Sequence, residues 1–156
     1  MRILAVCAGN ICRSPAAEAA IREAAAEAGL EVHVDSAGTG TWHIGQPPHP
    51  ESVEAGSRAG LRIEGRARKV TVADFDRFDI ILAMDRANLR DLMGLAPSKE
   101  SQAKVRLFRT YDPATTIDEV PDPWGGSTGD YEETVRIVMA AARGLVAEIS
   151  AHTHPG

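Results

Sequence analysis

Nine consecutive residues near the start of the chain, Cys7-Ala8-Gly9-Asn10-Ile11-Cys12-Arg13-Ser14-Pro15, combine a nucleophile, a cation and residues able to turn the backbone sharply. They follow a near-continuous apolar run, Arg2-Ile3-Leu4-Ala5-Val6, and precede a helical pattern. A loop joining a buried strand to a helix points several backbone N–H groups into one concavity at the positive end of the helix dipole, making an anion site out of main chain. Gly9 and Asn10 both tolerate the positive φ that such a turn requires. A sulfur at the base of this concavity is expected to exist as a thiolate near neutral pH. Arg13 is placed to close the cup and hold two oxygens of a bound oxyanion in its planar fork. The chemistry implied is a phosphate cradle with a nucleophile beneath it.

Simpler readings of the same residues fail on their neighbours. A lone cysteine at a strand end is usually a small buried hydrophobe, but here it opens a loop built for anions. A nucleotide-binding Walker loop needs Lys-Ser or Lys-Thr after its second glycine, and no lysine precedes Lys69. A zinc site on Cys7 and Cys12 would need two further ligands from five dispersed histidines, a poor match to the spacing of such sites. No metal or other cofactor is expected.

The elements that must hold this loop can be read on either side of it. Ser14 is placed to cap the following helix, Pro15 fits its first turn and Gly29 is placed to end it. Ala17, Ile21, Ala24, Ala25 and Ala28 keep one face of that helix apolar. Further strands are expected around Glu31–Asp35, Asp79–Ala83 and Lys104–Phe108, and helices around Pro50–Gly60, Asp85–Leu92 and Asp130–Ile149. Alternation of this kind predicts an α/β fold, a three-layer arrangement of a four-stranded parallel sheet with helices on both faces in a flavodoxin-like winding. Ligands in such folds sit at the carboxyl ends of strands, and Cys7 falls at one.

The chain has 156 residues, enough for one domain to bury about two-thirds of its unfolded surface. A single domain over 1–156 is expected, with 151–156 as a frayed tail. Hydrophobic residues make up 44% and charged residues 25%, a globular composition. No apolar stretch approaches a membrane span, and the N-terminus leads straight into a strand rather than a signal peptide. A net charge of −5, with 17 Lys and Arg scattered among 22 acids, argues against nucleic-acid binding. Two cysteines cannot build a disulfide framework, so the reading is a reduced, cytoplasmic protein whose thiols do chemistry; a monomer is expected. Lysine occurs only at 69, 99 and 104 among the 17 basic residues, and alanine is abundant; this composition hints at a bacterial source.

With Cys-x5-Arg-Ser-Pro directly after the first strand, the chain closely resembles the low-molecular-weight protein tyrosine phosphatases. The resemblance continues through Asp35-Ser36-Ala37-Gly38-Thr39, Met84-Asp85-Arg86-Ala87-Asn88-Leu89 and Asp122-Pro123 with a following aromatic. It implies a phosphatase acting on phosphotyrosine-containing proteins. In that reading Cys7 attacks phosphorus and becomes a phosphocysteine, while Arg13 and the loop from Ala8 through Gly9, Asn10, Ile11 and Cys12 hold the equatorial oxygens. Ser14 donates to the thiolate and Asn10 braces the loop. Asp122 is the general acid and later the base, while a second pair, Asp112-Pro113, reads as an ordinary turn. Trp42 and Trp124 flank the cleft mouth and offer flat surfaces to a phosphotyrosine ring. Cys12, on the same loop, is expected to capture an oxidised Cys7 as a disulfide.

Two departures from the family pattern stand out. Trp124-Gly125 replaces two successive aromatics, which opens the substrate wall. Gly65 stands where many relatives carry a loop-bracing histidine, which leaves the support of Asn10 open. His33, His43 and His49 read as surface or loop residues, with His43 close to the expected cleft. Arsenate reductases of this fold relay electrons through two later cysteines, and none follows Cys12. Protein arginine phosphatases of the family carry a small threonine where this chain has Ile11. A non-catalytic phosphate-binding or phosphotransfer module would not need Asp122.

Overall fold

The structure, a computed structural model, describes residues 1–153. The apolar runs form β1 (Arg2–Cys7), β2 (His33–Gly38), β3 (Ile80–Ala83) and β4 (Val105–Leu107). They pair in the order β2-β1-β3-β4, and every pairing is parallel. Each crossover carries helix: α1 (Arg13–Glu27) after β1, α2 (Pro50–Arg58) and α3 (Asp74–Arg77) after β2, α4 (Arg86–Leu95) and α5 (Lys99–Gln102) after β3. A 3-10 turn at Phe108–Tyr111 follows β4, and α6 (Thr128–Thr153) ends the described chain. The expected doubly wound α/β architecture is therefore present.

Strand alternation divides the core into two layers. Ile3, Ala5 and Leu82 face α1 and α6, whereas Leu4, Val6 and Ile81 face Phe75, Phe78 and Leu92 on the other side. All six of those strand residues are fully buried apart from rounding, which accounts for the unbroken apolar run of β1. The alanines of α1 let it lie close against both β1 and α6, since Ala16, Ala17, Ala20 and Ala25 are all buried. Among the described residues no helix is long and apolar enough to cross a membrane.

Several expectations are corrected. Helix α1 starts at Arg13 with Cys12 at the cap position and no side-chain capping bond, so Ser14 is not its cap. Its hydroxyl is turned inward instead. Gly29 does end α1, at φ +65. Strand β2 runs from His33 to Gly38 rather than from Glu31 to Asp35, because its pairing with β1 aligns Arg2 with His33 and Cys7 with Gly38. Helix α6 begins at Thr128 and continues to Thr153, so residues 151–153 are helical rather than frayed; the rest of that expected tail, 154–156, lies outside the described residues. The short α3 and α5 carry too little periodicity to be read from sequence.

Candidate active site

Register explains where the cradle sits. Cys7 is the last residue of β1, beside Gly38 at the end of β2, and Val6 lies beside Ala83 at the end of β3. Three strand ends thus open at one place. The loop presses so closely on β2 that a Cβ on Gly38 would meet Ala8 O at 2.8 Å, and Gly40 N–H donates to the same Ala8 carbonyl at 2.9 Å. Asn10, at φ 58, takes the left-handed conformation that turns the chain; Gly9, expected to share it, does not.

Asn10 is almost fully buried and each end of its amide is used. Its Nδ2 donates to Ser14 Oγ at 2.8 Å and to Ser36 Oγ at 3.0 Å, and its Oδ1 accepts from Arg68 N at 3.0 Å. Ser14 Oγ lies 3.0 Å from Cys7 Sγ. That oxygen accepts from Asn10, and its single proton has two acceptors in reach, Cys7 Sγ and, at 3.4 Å, the Ala37 carbonyl. The Asn10 N–H approaches the same sulfur at 3.2 Å. The Asn10 N–H and the Ser14 hydroxyl thus both meet Sγ, with the start of α1 beside them.

Arg13 has a side chain only 4% exposed, and its Nη1 is held by Asp85 Oδ2 at 2.6 Å and by the Val120 carbonyl at 3.0 Å. Burial acts against its charge, but Cys7, Asp85 and Asp122 outweigh that and raise its pKa above the ordinary arginine value. Asp122 Oδ2 stands 3.8 Å from Arg13 Nη2. Its other oxygen accepts from Trp124 N at 3.1 Å, leaving the carboxylate half exposed at the rim. Asp112 accepts from Ala114 N in a local turn.

Cys7, Ala8, Gly9, Ile11, Cys12, Arg13, Trp42, His43, Asp122 and Trp124 line one cleft of about 170 Å³. Every site residue read from the sequence lies on it or, for Asn10 and Ser14, directly behind it. Trp42 and Trp124 remain well exposed. Cys12 is buried below, where desolvation, with Cys7 and Asp122 adding to it, pushes its thiol up to about 11.

Sequence reasoning missed several contributors. Asp85 read as a helix start, and it does cap α4 through Asn88, yet it also holds Arg13. His43, expected close to the cleft, does line it, and the ring contact with Trp124 at 5.4 Å is what the sequence did not show. His49 caps α2 by accepting from Glu51 N, and packs between Trp124 and Tyr131 at 5.3 and 5.2 Å. Pairings between distant segments carry no local signal.

The sequence model of the family described as low molecular weight phosphotyrosine protein phosphatase matches residues 2–154. The chain belongs to that family. A low molecular weight protein-tyrosine-phosphatase of Streptomyces coelicolor is 43% identical over 152 residues, covering 95% of this chain and 93% of the relative. A protein tyrosine phosphatase of Entamoeba histolytica, crystallised with Hepes in its active site, superposes with a TM-score of 0.94 at 31% identity, over 99% of each chain. The YwlE arginine phosphatase superposes with a TM-score of 0.84 at 28% identity, over 96% of each chain.

Both departures from the low-molecular-weight phosphatase pattern have a structural counterpart. With Gly65 in place of a histidine, Asn10 is braced by Ser36 and by the backbone of Arg68. Arg68 is itself forked between Asp35 and the fully buried Asp74. Gly125 has φ +77 in a turn closed by Gly126 N to Pro123 O, so the place of a second aromatic is a glycine-favouring corner.

Proposed function

We propose that this chain is a single-domain, cysteine-dependent protein tyrosine phosphatase of the cytoplasm, acting as a monomer on phosphotyrosine-containing proteins, without nucleic-acid or membrane partners. The observation that carries the reading is Cys7 Sγ beneath a loop of amides, with Ser14 Oγ and Asn10 N at 3.0 and 3.2 Å, and with Arg13 and Asp122 on the same cleft.

The Cys7 thiolate attacks phosphorus in line, and the phosphorus–oxygen bond to the phenol breaks as the sulfur–phosphorus bond forms. Amides of the loop and Arg13 hold the equatorial oxygens as charge shifts. Asp122 delivers a proton to the departing phenolate, then as carboxylate takes one from the water that attacks the phosphocysteine. That water releases inorganic phosphate and restores the thiolate. Trp42, Trp124 and His43 give the ring apolar faces to lie against.

The test is turnover of phosphotyrosine peptide by wild type, Cys7→Ser, Arg13→Ala and Asp122→Ala. The first two variants are expected to lose activity almost completely, and Asp122→Ala to retain a small fraction, larger on aryl phosphates with acidic leaving groups. Substantial turnover by Cys7→Ser overturns the mechanism. Structural likeness to an arginine phosphatase favours phosphoarginine as a second substrate; Ile11, buried on the cleft wall, opposes it.

A further inference from the structure

Asp122 lies in a stretch between the 3-10 turn and α6 that forms neither helix nor strand, yet a proton donor must be held in place to act. Misplacing a reacting group by about 1 Å can cost about 100-fold in rate. Of three consecutive residues after β3, Met84 and Arg86 bind this stretch directly and Asp85 reaches it through Arg13. Met84 O accepts from Val120 N at 2.8 Å. Asp85 holds Arg13, whose Nη1 also binds Val120 O. Arg86 takes the two residues before Val120: its backbone N–H donates to Glu119 Oε2 at 2.9 Å, its Nη2 to Asp118 Oδ2 at 2.6 Å, and its Nη1 lies 3.4 Å from Glu119 Oε1. Arg109 adds a fourth tie, donating to Glu119 O at 3.0 Å.

Val120 is buried and needs no clasp to stay in the core. Asp118 and Glu119 before it are only half-buried, and Pro121 and Asp122 after it are exposed, with buried Pro123 beyond them. A single exposed ion pair is worth little, but Arg86 engages two carboxylates and lends its own backbone N–H, all at the N-terminus of α4, where negative charge is favoured. We infer that Arg86, through Asp118 and Glu119, is a positioning residue that sets the place of Asp122 over the cleft, and so governs protonation of the leaving group. The inference rests on the phosphatase reading above.

The experiment measures kcat/KM on phosphotyrosine, whose phenolate leaves poorly, and on p-nitrophenyl phosphate, whose leaving group is acidic, for Arg86→Ala, Arg86→Lys and Asp122→Asn, and for Arg86→Ala in the Asp122→Asn background. Arg86→Ala is expected to lose about fivefold on phosphotyrosine and distinctly less on p-nitrophenyl phosphate. Arg86→Lys is expected to recover part of that loss, and Arg86→Ala to add nothing once Asp122 is gone. Its side chain is 55% exposed, so the thermal midpoint is expected to stay within about 2 °C of wild type. Equal losses on both substrates, a further loss in the Asp122→Asn background, or no loss at all overturns the inference. If Asp122→Asn itself is fully active on phosphotyrosine, the fault lies instead in the general-acid assignment.

Discussion

Ser14 Oγ stands 3.0 Å from Cys7 Sγ while accepting a hydrogen bond from Asn10, and its proton has that sulfur and the Ala37 carbonyl, at 3.4 Å, as acceptors. Hydrogen bonds to charged groups contribute about 1.5–3 kcal/mol, and Ser14→Ala removes one donor from the thiolate. Alkylation of Cys7 by iodoacetate is expected to slow by roughly 10–100-fold in that variant. An unchanged alkylation rate would mean that Ser14 does not act on the sulfur.

Cys12 is expected to rescue an oxidised nucleophile in a pH-dependent way. Peroxide converts the Cys7 thiolate to a sulfenic acid, which Cys12 attacks as thiolate to form the disulfide with loss of hydroxide. Burial, with Cys7 and Asp122 adding to it, holds the Cys12 thiol up to about 11. Oxidation removes the Cys7 charge, but burial still holds the Cys12 thiol above its ordinary value, so its reactive fraction is small at neutrality and rises with pH. Mass analysis after a fixed peroxide dose is expected to show the disulfide, a loss of two hydrogens, gaining on sulfinic acid from pH 7 to pH 10. No disulfide at any pH, or equal recovery by thiol reductant in wild type and Cys12→Ser, would refute the protective role.

Ile11 is 6% exposed on the cleft wall, and its carbonyl is tied to His49 N at 2.8 Å, so its backbone is fixed. A phenyl ring gains by covering its methyl surface, whereas a phosphoguanidinium loses hydration there without a polar partner. Contacts of this kind discriminate by about 10–200-fold. Matched phosphotyrosine and phosphoarginine peptides are expected to show that preference in kcat/KM, and Ile11→Thr to narrow it. An unchanged ratio in Ile11→Thr would remove Ile11 as the selector.

Two helical glycines are expected to respond in opposite directions to alanine. Away from contacts, alanine gains about 0.8–1 kcal/mol over glycine in a helix interior. A Cβ on Gly94 of α4 meets nothing within 4 Å, so Gly94→Ala is expected to stabilise by part of that amount. On Gly144 of α6 the Cβ would overlap the Tyr111 carbonyl, which is backbone and cannot rotate away. Overpacking of this kind costs about 1–3 kcal/mol, enough to reverse the sign. Urea unfolding midpoints decide it, and a more stable Gly144→Ala would show that the 3-10 turn is free to move.

The parts legible in the sequence are those whose causes lie within a few residues. An apolar run, a loop of turn-forming residues and an alanine-rich helix sufficed to place Cys7 at a strand end beneath a cradle of amides, because strand, loop and helix dipole are contiguous there. Likewise Gly29 marked the end of α1 by its own backbone freedom. Ser14 shows the limit of local reasoning: its type and position suit a cap, but a buried sulfur and the Asn10 amide compete for the same hydroxyl and take it. The start of β2 was displaced for a similar reason, since pairing with β1 overrode local propensity. What only the tertiary structure decided is which distant groups complete the site. Asp85 on Arg13, Arg68 on Asn10 and the Arg86 clasp on the Asp122 segment join residues 72, 58 and 32 or 33 positions apart. Charge and hydrogen-bonding capacity mark such residues as able to pair, but only the parallel register, by bringing the ends of β1, β2 and β3 together, selects their partners.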